Sequence, residues 1–148
     1  MKKIHAQILI TCCIIYLLPV KVFSHCQIPC GIYDDEMRIE MMNEHIGTIE
    51  KSMNQIMQLQ KEGLQNSNQL VRWIMTKEDH ANEIQEIVSQ YFMTQRIKPD
   101  AKDYSKKLGL LHEMLINAMK CKQTTDLTYV SKMRDLVNEF QGLYFEKE

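Results

Sequence analysis

Downstream of residue 30 the chain contains a single proline, Pro99. No other proline in that stretch would break a long helix. Apolar–polar alternation of strand length is missing, as are an internal repeat, a glycine-rich phosphate loop and any low-complexity tract. Basic excess is missing too. Lys and Arg number 18 against 19 acids, so no basic patch asks for nucleic acid. A sheet-based fold and the common nucleotide-binding loops are thereby set aside. What remains is one domain's length of chain, 148 residues, with an all-α pattern.

Residues 1–24 differ from the rest. They open on Lys2 and Lys3, run apolar from Ile8 to Val20 and close on Val22-Phe23-Ser24. Val22 and Ser24 stand at the −3 and −1 positions of a secretory signal cut after Ser24. A retained anchor needs about 20 uninterrupted apolar residues, and Pro19 and Lys21 break this run. No membrane association is expected once the leader is gone. A signal peptide predicts export to an extracellular, periplasmic or organelle-lumen compartment; a mere pro-segment would leave the protein cytoplasmic. The leader carries Lys2, Lys3 and Lys21 and no acid, so cleavage takes the formal charge from −1 to −4. A mildly acidic surface does not attract a small anion, so any steering of one must be local. Cys12 and Cys13 leave with the leader, and Cys26, Cys30 and Cys121 stay. An odd count argues against a plain disulfide framework.

The long remainder reads as four helices. Asp34 or Asp35 can cap the first, with Asp35 and Glu36 acidic in its first turn. Its seam is Met42, Ile46, Ile49, Met53 and Ile56, and Gly63 with Asn66-Ser67-Asn68 marks the break. The second starts near Ser67 with a seam of Leu70, Ile74, Ala81, Ile84, Val88 and Tyr91, interrupted by Lys77 and ended by Pro99-Asp100. The third carries Tyr104, Leu108, Leu111, Leu115 and Met119, with Gly109 inside it where a close helix contact is expected. Thr124-Thr125-Asp126 offers caps for the fourth, whose seam is Leu127, Val130, Met133, Val137, Phe140 and Tyr144. Four such helices with short links predict a four-helix bundle. Cys121 reads as a buried or idle thiol. Helix one carries methionines off its seam, Met37, Met41 and Met57, which suits core filling or contact with another subunit better than metal ligation.

Between leader and bundle stands His25-Cys26-Gln27-Ile28-Pro29-Cys30-Gly31-Ile32-Tyr33. Cleavage before His25 gathers a free α-amine, an imidazole, the Cys26 amide nitrogen and two thiols within residues 25–30. Soft sulfur together with nitrogen suits a square-planar ion such as Ni(II) or Cu(II), whereas zinc would want four side-chain ligands in a tetrahedron. The same two cysteines also allow a small loop disulfide. The spacing is C-x-x-x-C, not the C-x-x-C of thioredoxin-like redox centres.

This string resembles the N-terminal metal hook of nickel superoxide dismutases, H-C-x-x-P-C-G-x-Y. His25, Cys26, Pro29, Cys30, Gly31 and Tyr33 meet every specified position. The resemblance continues more weakly through the rest of the mature chain and implies a domain over 25–148 with the hook at 25–33. It implies one nickel per subunit, held by His25, Cys26 and Cys30, with the α-amine, the Cys26 amide and both thiolates in a plane and the His25 imidazole axial. Two thiolates and an anionic amide bring the Ni(III)/Ni(II) couple into range of superoxide. Pro29 stiffens the hook, and Gly31 can supply a turn at positive φ. Tyr33 and Tyr91 correspond to the tyrosines beside the open axial face; the spacing of Tyr91 equally fits the helix core. Glu40 corresponds to the acid that bonds the axial imidazole, with the interval from Tyr33 one residue short, and His80 falls near the place of the arginine behind that acid. Gln27 stands where an Asp is frequent. A processing peptidase must expose His25, and a homohexamer is implied.

The implied activity is disproportionation of superoxide to oxygen and hydrogen peroxide. Two other classes are compatible with the residues. One is an exported nickel or copper carrier without turnover. The other is a secreted helical signalling protein stapled by Cys26 and Cys30.

Overall fold

The computed structural model describes residues 33–146. His25, Cys26, Pro29, Cys30 and Gly31 lie outside the described residues, as do residues 1–24, where a leader is expected. The described residues form an all-α bundle without strands.

Helix α1 spans Asp35–Glu62 and is capped by Asp34, whose carboxylate accepts the Met37 N–H at 3.0 Å. That bond satisfies one of the amides that a helix start leaves without partners. The helix ends at Gly63, at a φ of +90° that a side chain would strain. One 3-10 turn, Leu64–Asn66, leads into α2, Ser67–Glu86. Without a break α2 passes into a π segment, Ile87–Arg96. Helices α3, Tyr104–Gln123, and α4, Thr128–Phe145, complete the bundle. Asp126 starts α4 by accepting the Thr128 N–H at 2.9 Å. Each helix packs on its neighbour in sequence, and α1 closes the ring against α4.

The expected seams of α1 and α4 are the buried ones. Met42, Ile46, Ile49 and Met53 face Val130, Met133, Val137 and Phe140 across a core that also takes Ala81, Ile84, Val88 and Phe92. Each large apolar side chain removed from water contributes roughly 1.5–3 kcal/mol, which is what holds helices of modest propensity together.

Along α2 and its π segment the expected seam is buried at Ala81, Ile84, Val88 and Tyr91 but departs in the first part of the helix, and in α3 the expected stripe is displaced. Ile74 is exposed, while Lys77 is buried. The Lys77 stem lies on the seam, and its ammonium donates to the carbonyls of Cys121 (2.7 Å) and Lys122. Those carbonyls belong to the last turn of α3, where the helix leaves oxygens without partners. Lys77 therefore continues the seam and caps a neighbouring helix. In α3 the buried stripe runs through Leu110, Leu111, Met114, Ala118 and Cys121, and Met119 is exposed. Tyr104, Leu108 and Leu115 pack only on its flank. Gly109 faces open space, so no close helix contact requires it. Cys121 is a buried free thiol whose pKa burial pushes up to about 11.

Candidate active site

At one end of the bundle three side chains from two elements converge on the first residue of α1. The Asp35 carboxylate accepts the Tyr91 hydroxyl at 2.5 Å on one oxygen and the Tyr144 hydroxyl at 2.8 Å on the other. Arg96 grips both oxygens, its Nε at 2.8 and 3.1 Å and its Nη2 at 2.6 Å. A charge-assisted bidentate pair of this kind is among the stronger protein hydrogen bonds. Its carboxylate also sits in the first turn of α1, where the helix dipole favours negative charge.

The π segment makes the convergence possible. Tyr91 and Arg96 are five residues apart, which on a regular α-helix would turn them about 140° from one another. Here the backbone runs with i→i+5 bonding, continued by the Ile97 N–H to the Phe92 carbonyl at 2.9 Å. One wider turn therefore brings Tyr91 and Arg96 onto the same carboxylate. Tyr144 arrives from the last turn of α4 and is braced from behind by Phe92 and Phe140, at 5.5 and 5.2 Å between ring centroids.

Tyr33 lies over this hub. Its ring meets Tyr91 edge-on at 6.1 Å, and the Arg96 guanidinium sits 4.3 Å from its centroid. The ring is thus held by an aromatic edge and a cation, while Tyr33 as a whole stays 42% exposed. Its hydroxyl has no hydrogen-bond partner among the described residues. Arg38, one turn into α1, places its guanidinium 5.0 Å from the Tyr91 ring. Arg38 pairs with no carboxylate among the described residues, and its Nε is buried without a partner there.

Burial by itself would raise the Asp35 pKa, but the hydrogen bonds from Arg96, Tyr91 and Tyr144 outweigh it and hold the carboxyl below the usual carboxylate range. Burial and the Asp35 charge push Tyr91 and Tyr144 up to about 12. Both phenols stay protonated at neutral pH, and each commits its proton to Asp35.

The family model for nickel-containing superoxide dismutase matches residues 20–148. The chain belongs to that family. It is a nickel-dependent superoxide dismutase, an oxidoreductase that converts superoxide to oxygen and hydrogen peroxide. No curated protein and no solved structure gives a match.

The residues expected from the nickel superoxide dismutase resemblance fall into separate places. Tyr33 and Tyr91 come together in the hub. Glu40 stands exposed on α1, outside it. His80 meets His45 of α1, their Nδ1 atoms 2.8 Å apart. The guanidiniums nearest the two tyrosines are those of Arg38 and Arg96. Sequence reasoning missed Asp35 as more than a first-turn acid, and missed Arg38, Arg96 and the role of Tyr144. Only the N-terminal position of Asp35 carried a signal; the π register that brings in Arg96 has none in the residue pattern.

The donor set of His25, Cys26 and Cys30 fits nickel by its chemistry. Thiolates with amine and amide nitrogen form the field a square-planar ion prefers. Among the described residues no group of three or more His, Cys, Asp or Glu could hold a metal.

Proposed function

We propose that the nickel of this dismutase is held by His25, Cys26 and Cys30 after a peptidase cuts the chain behind Ser24, and that the Tyr33–Tyr91 pair shapes the approach of superoxide. What carries the reading is the joining of two facts. The string from His25 to Tyr33 meets every specified position of the nickel hook. Its last member, Tyr33, is seated against Tyr91 and Arg96 on a hydrogen-bonded hub.

Bound nickel would supply the one-electron couple that the two half-reactions of superoxide need. The reaction consumes two superoxide ions and two protons for each oxygen and peroxide formed. The chain's residues divide the remaining work. Asp35 and Arg96 fix the rings. Tyr91 and Tyr144, both pushed up to about 12 and turned toward Asp35, hold their protons and act as positioning residues, so the two protons come through water. The Tyr33 hydroxyl is left to order water or a small anion. Arg38, with no carboxylate partner among the described residues, offers the local positive charge that a chain of net charge −4 after cleavage needs to draw an anion. Glu40 and His80 remain the residues at which the family's imidazole-bonding acid and its partner fall.

The same resemblance supports one nickel per subunit and a homohexamer, and the leader's own residue pattern supports export. Exposed Met37, and Met57 off the core seam, suit contact between subunits, whereas Met41 packs on the chain's own core.

Replacing either thiolate tests the ligand set. Cys26→Ser or Cys30→Ser removes the sulfur donation that brings nickel into redox range, so superoxide decay should fall to the uncatalysed rate. Substantial turnover in either variant would place the chemistry elsewhere.

A further inference from the structure

Away from the Asp35 hub, α1 and α2 bring two imidazoles face to edge. His45 and His80 have ring centroids 5.0 Å apart at an interplanar angle of 61°. Their Nδ1 atoms approach to 2.8 Å, and both side chains are partly buried. The other nitrogen of His45, Nε2, is buried with no hydrogen-bond partner among the described residues. No protein group there fixes which nitrogen of His45 carries the proton.

We propose that His45 and His80 form a two-nitrogen site for a divalent transition ion of tetragonal preference, Cu(II) or Ni(II), that uses none of the hook residues. The separation selects the ion class. Two imidazole nitrogens about 2.05 Å from one ion lie about 2.9 Å apart at a right angle and about 3.3 Å apart at a tetrahedral one. The observed 2.8 Å is an N–H···N hydrogen bond, so each ring must turn off the Nδ1–Nδ1 line to share an ion, and the right-angled geometry of Cu(II) and Ni(II) is the one reached with the least parting of the two nitrogens. Zinc would require the rings to part further.

The protonation state agrees. Burial, and after it the neighbouring His80, lower the His45 pKa against the opposing pull of Glu83 and Glu44, so its ring is neutral near pH 7. In the metal-free pair one Nδ1 donates its hydrogen to the other. The donor ring shifts its hydrogen from Nδ1 to Nε2 through solvent, and both Nδ1 lone pairs then face the ion. No third His, Cys, Asp or Glu completes the site among the described residues, so water takes the remaining positions. The Glu44 and Glu83 charges favour a cation there without ligating it.

The test adds Cu(II) to the nickel-loaded protein at pH 7.5 and reads its pulsed EPR, in which the remote nitrogen of each coordinated imidazole modulates the echo. Nickel content is measured on the same samples. The expected result is one tightly bound copper per chain with two coupled imidazoles and no loss of nickel. His45→Gln and His80→Gln should each weaken copper binding by about tenfold or more and leave one coupled imidazole. His112→Gln, on the exposed face of α3, should change neither. Copper uptake by the parent protein should also fall as pH drops through the imidazole range, a readout that does not depend on any variant folding. Fewer than two coupled imidazoles in the parent, unaltered binding in His45→Gln, or loss in His112→Gln would each overturn the proposal.

Discussion

The Tyr91 hydroxyl and the Asp35 carboxylate meet at 2.5 Å although 56 positions of sequence separate them. This bond ties the π segment after α2 to the N-terminus of α1, the residue pair directly downstream of Tyr33. Through it, the tertiary packing of the bundle determines where the Tyr33 ring rests. The nickel superoxide dismutase thus carries its tyrosine face on a rigid end of the bundle.

Asp35→Asn should loosen that end. The carboxylate receives two phenols and a bidentate guanidinium with only 14% of its side chain exposed. An amide cannot accept all of these, and Arg96 would lose its counter-charge, so stability at pH 7 should fall by about 2–4 kcal/mol. The folded-state pKa lies below 3.8, so the contribution is fully present above about pH 4 and is lost as pH falls through the depressed value. Urea unfolding at neutral and acid pH checks both: the gap between parent and variant should close in acid. A gap that persists at low pH would mean that shape, not charge, makes the difference.

Tyr33→Phe should keep its nickel. The ring contacts with Tyr91 and Arg96 survive the change, and only the hydroxyl is removed. One neutral hydrogen bond is worth about 0.5–1.5 kcal/mol, so the rate should fall by about tenfold or less. Azide affinity should shift in the same preparation. Loss of the metal would make Tyr33 a support of the hook instead of a guard of the open face.

Arg38→Gln should slow capture more than turnover. Its guanidinium has no carboxylate partner among the described residues and lies beside the Tyr91 ring. Removing the charge should lower kcat/KM at low ionic strength by about twofold to fivefold and flatten its decline with added salt. Pulse-generated superoxide decay across a salt series reads this. An unchanged salt slope would show that steering comes from other groups.

Much of the bundle was legible because the periods of α1 and α4 are clean. Met42 through Ile56 and Val130 through Phe140 could sit on no other face. Lys77 misled because its charge hides a four-carbon stem, and because its partners, the carbonyls of Cys121 and Lys122, are backbone groups that no residue pattern announces. The stripe of α3 rotated because Tyr104, Leu108 and Leu115 compete with an adjacent row, Leu111, Met114, Ala118 and Cys121, and packing against α2 and α4 decided between them. The proposed hook was read from its residues alone, and all of it before Tyr33 lies outside the described residues. Of the hub only Tyr91 was legible, through the resemblance; Asp35, Arg96 and Tyr144 are unremarkable singly, and Arg96 reaches the carboxylate only through a π turn.

The central claim is that nickel sits on a newly exposed N-terminus. Intact-mass analysis of the purified, active protein under non-denaturing conditions tests it most directly. A chain beginning at His25 and carrying one nickel is the predicted result. An active, nickel-loaded chain that still retains residues before His25 would contradict it, because no free α-amine would then stand beside Cys26.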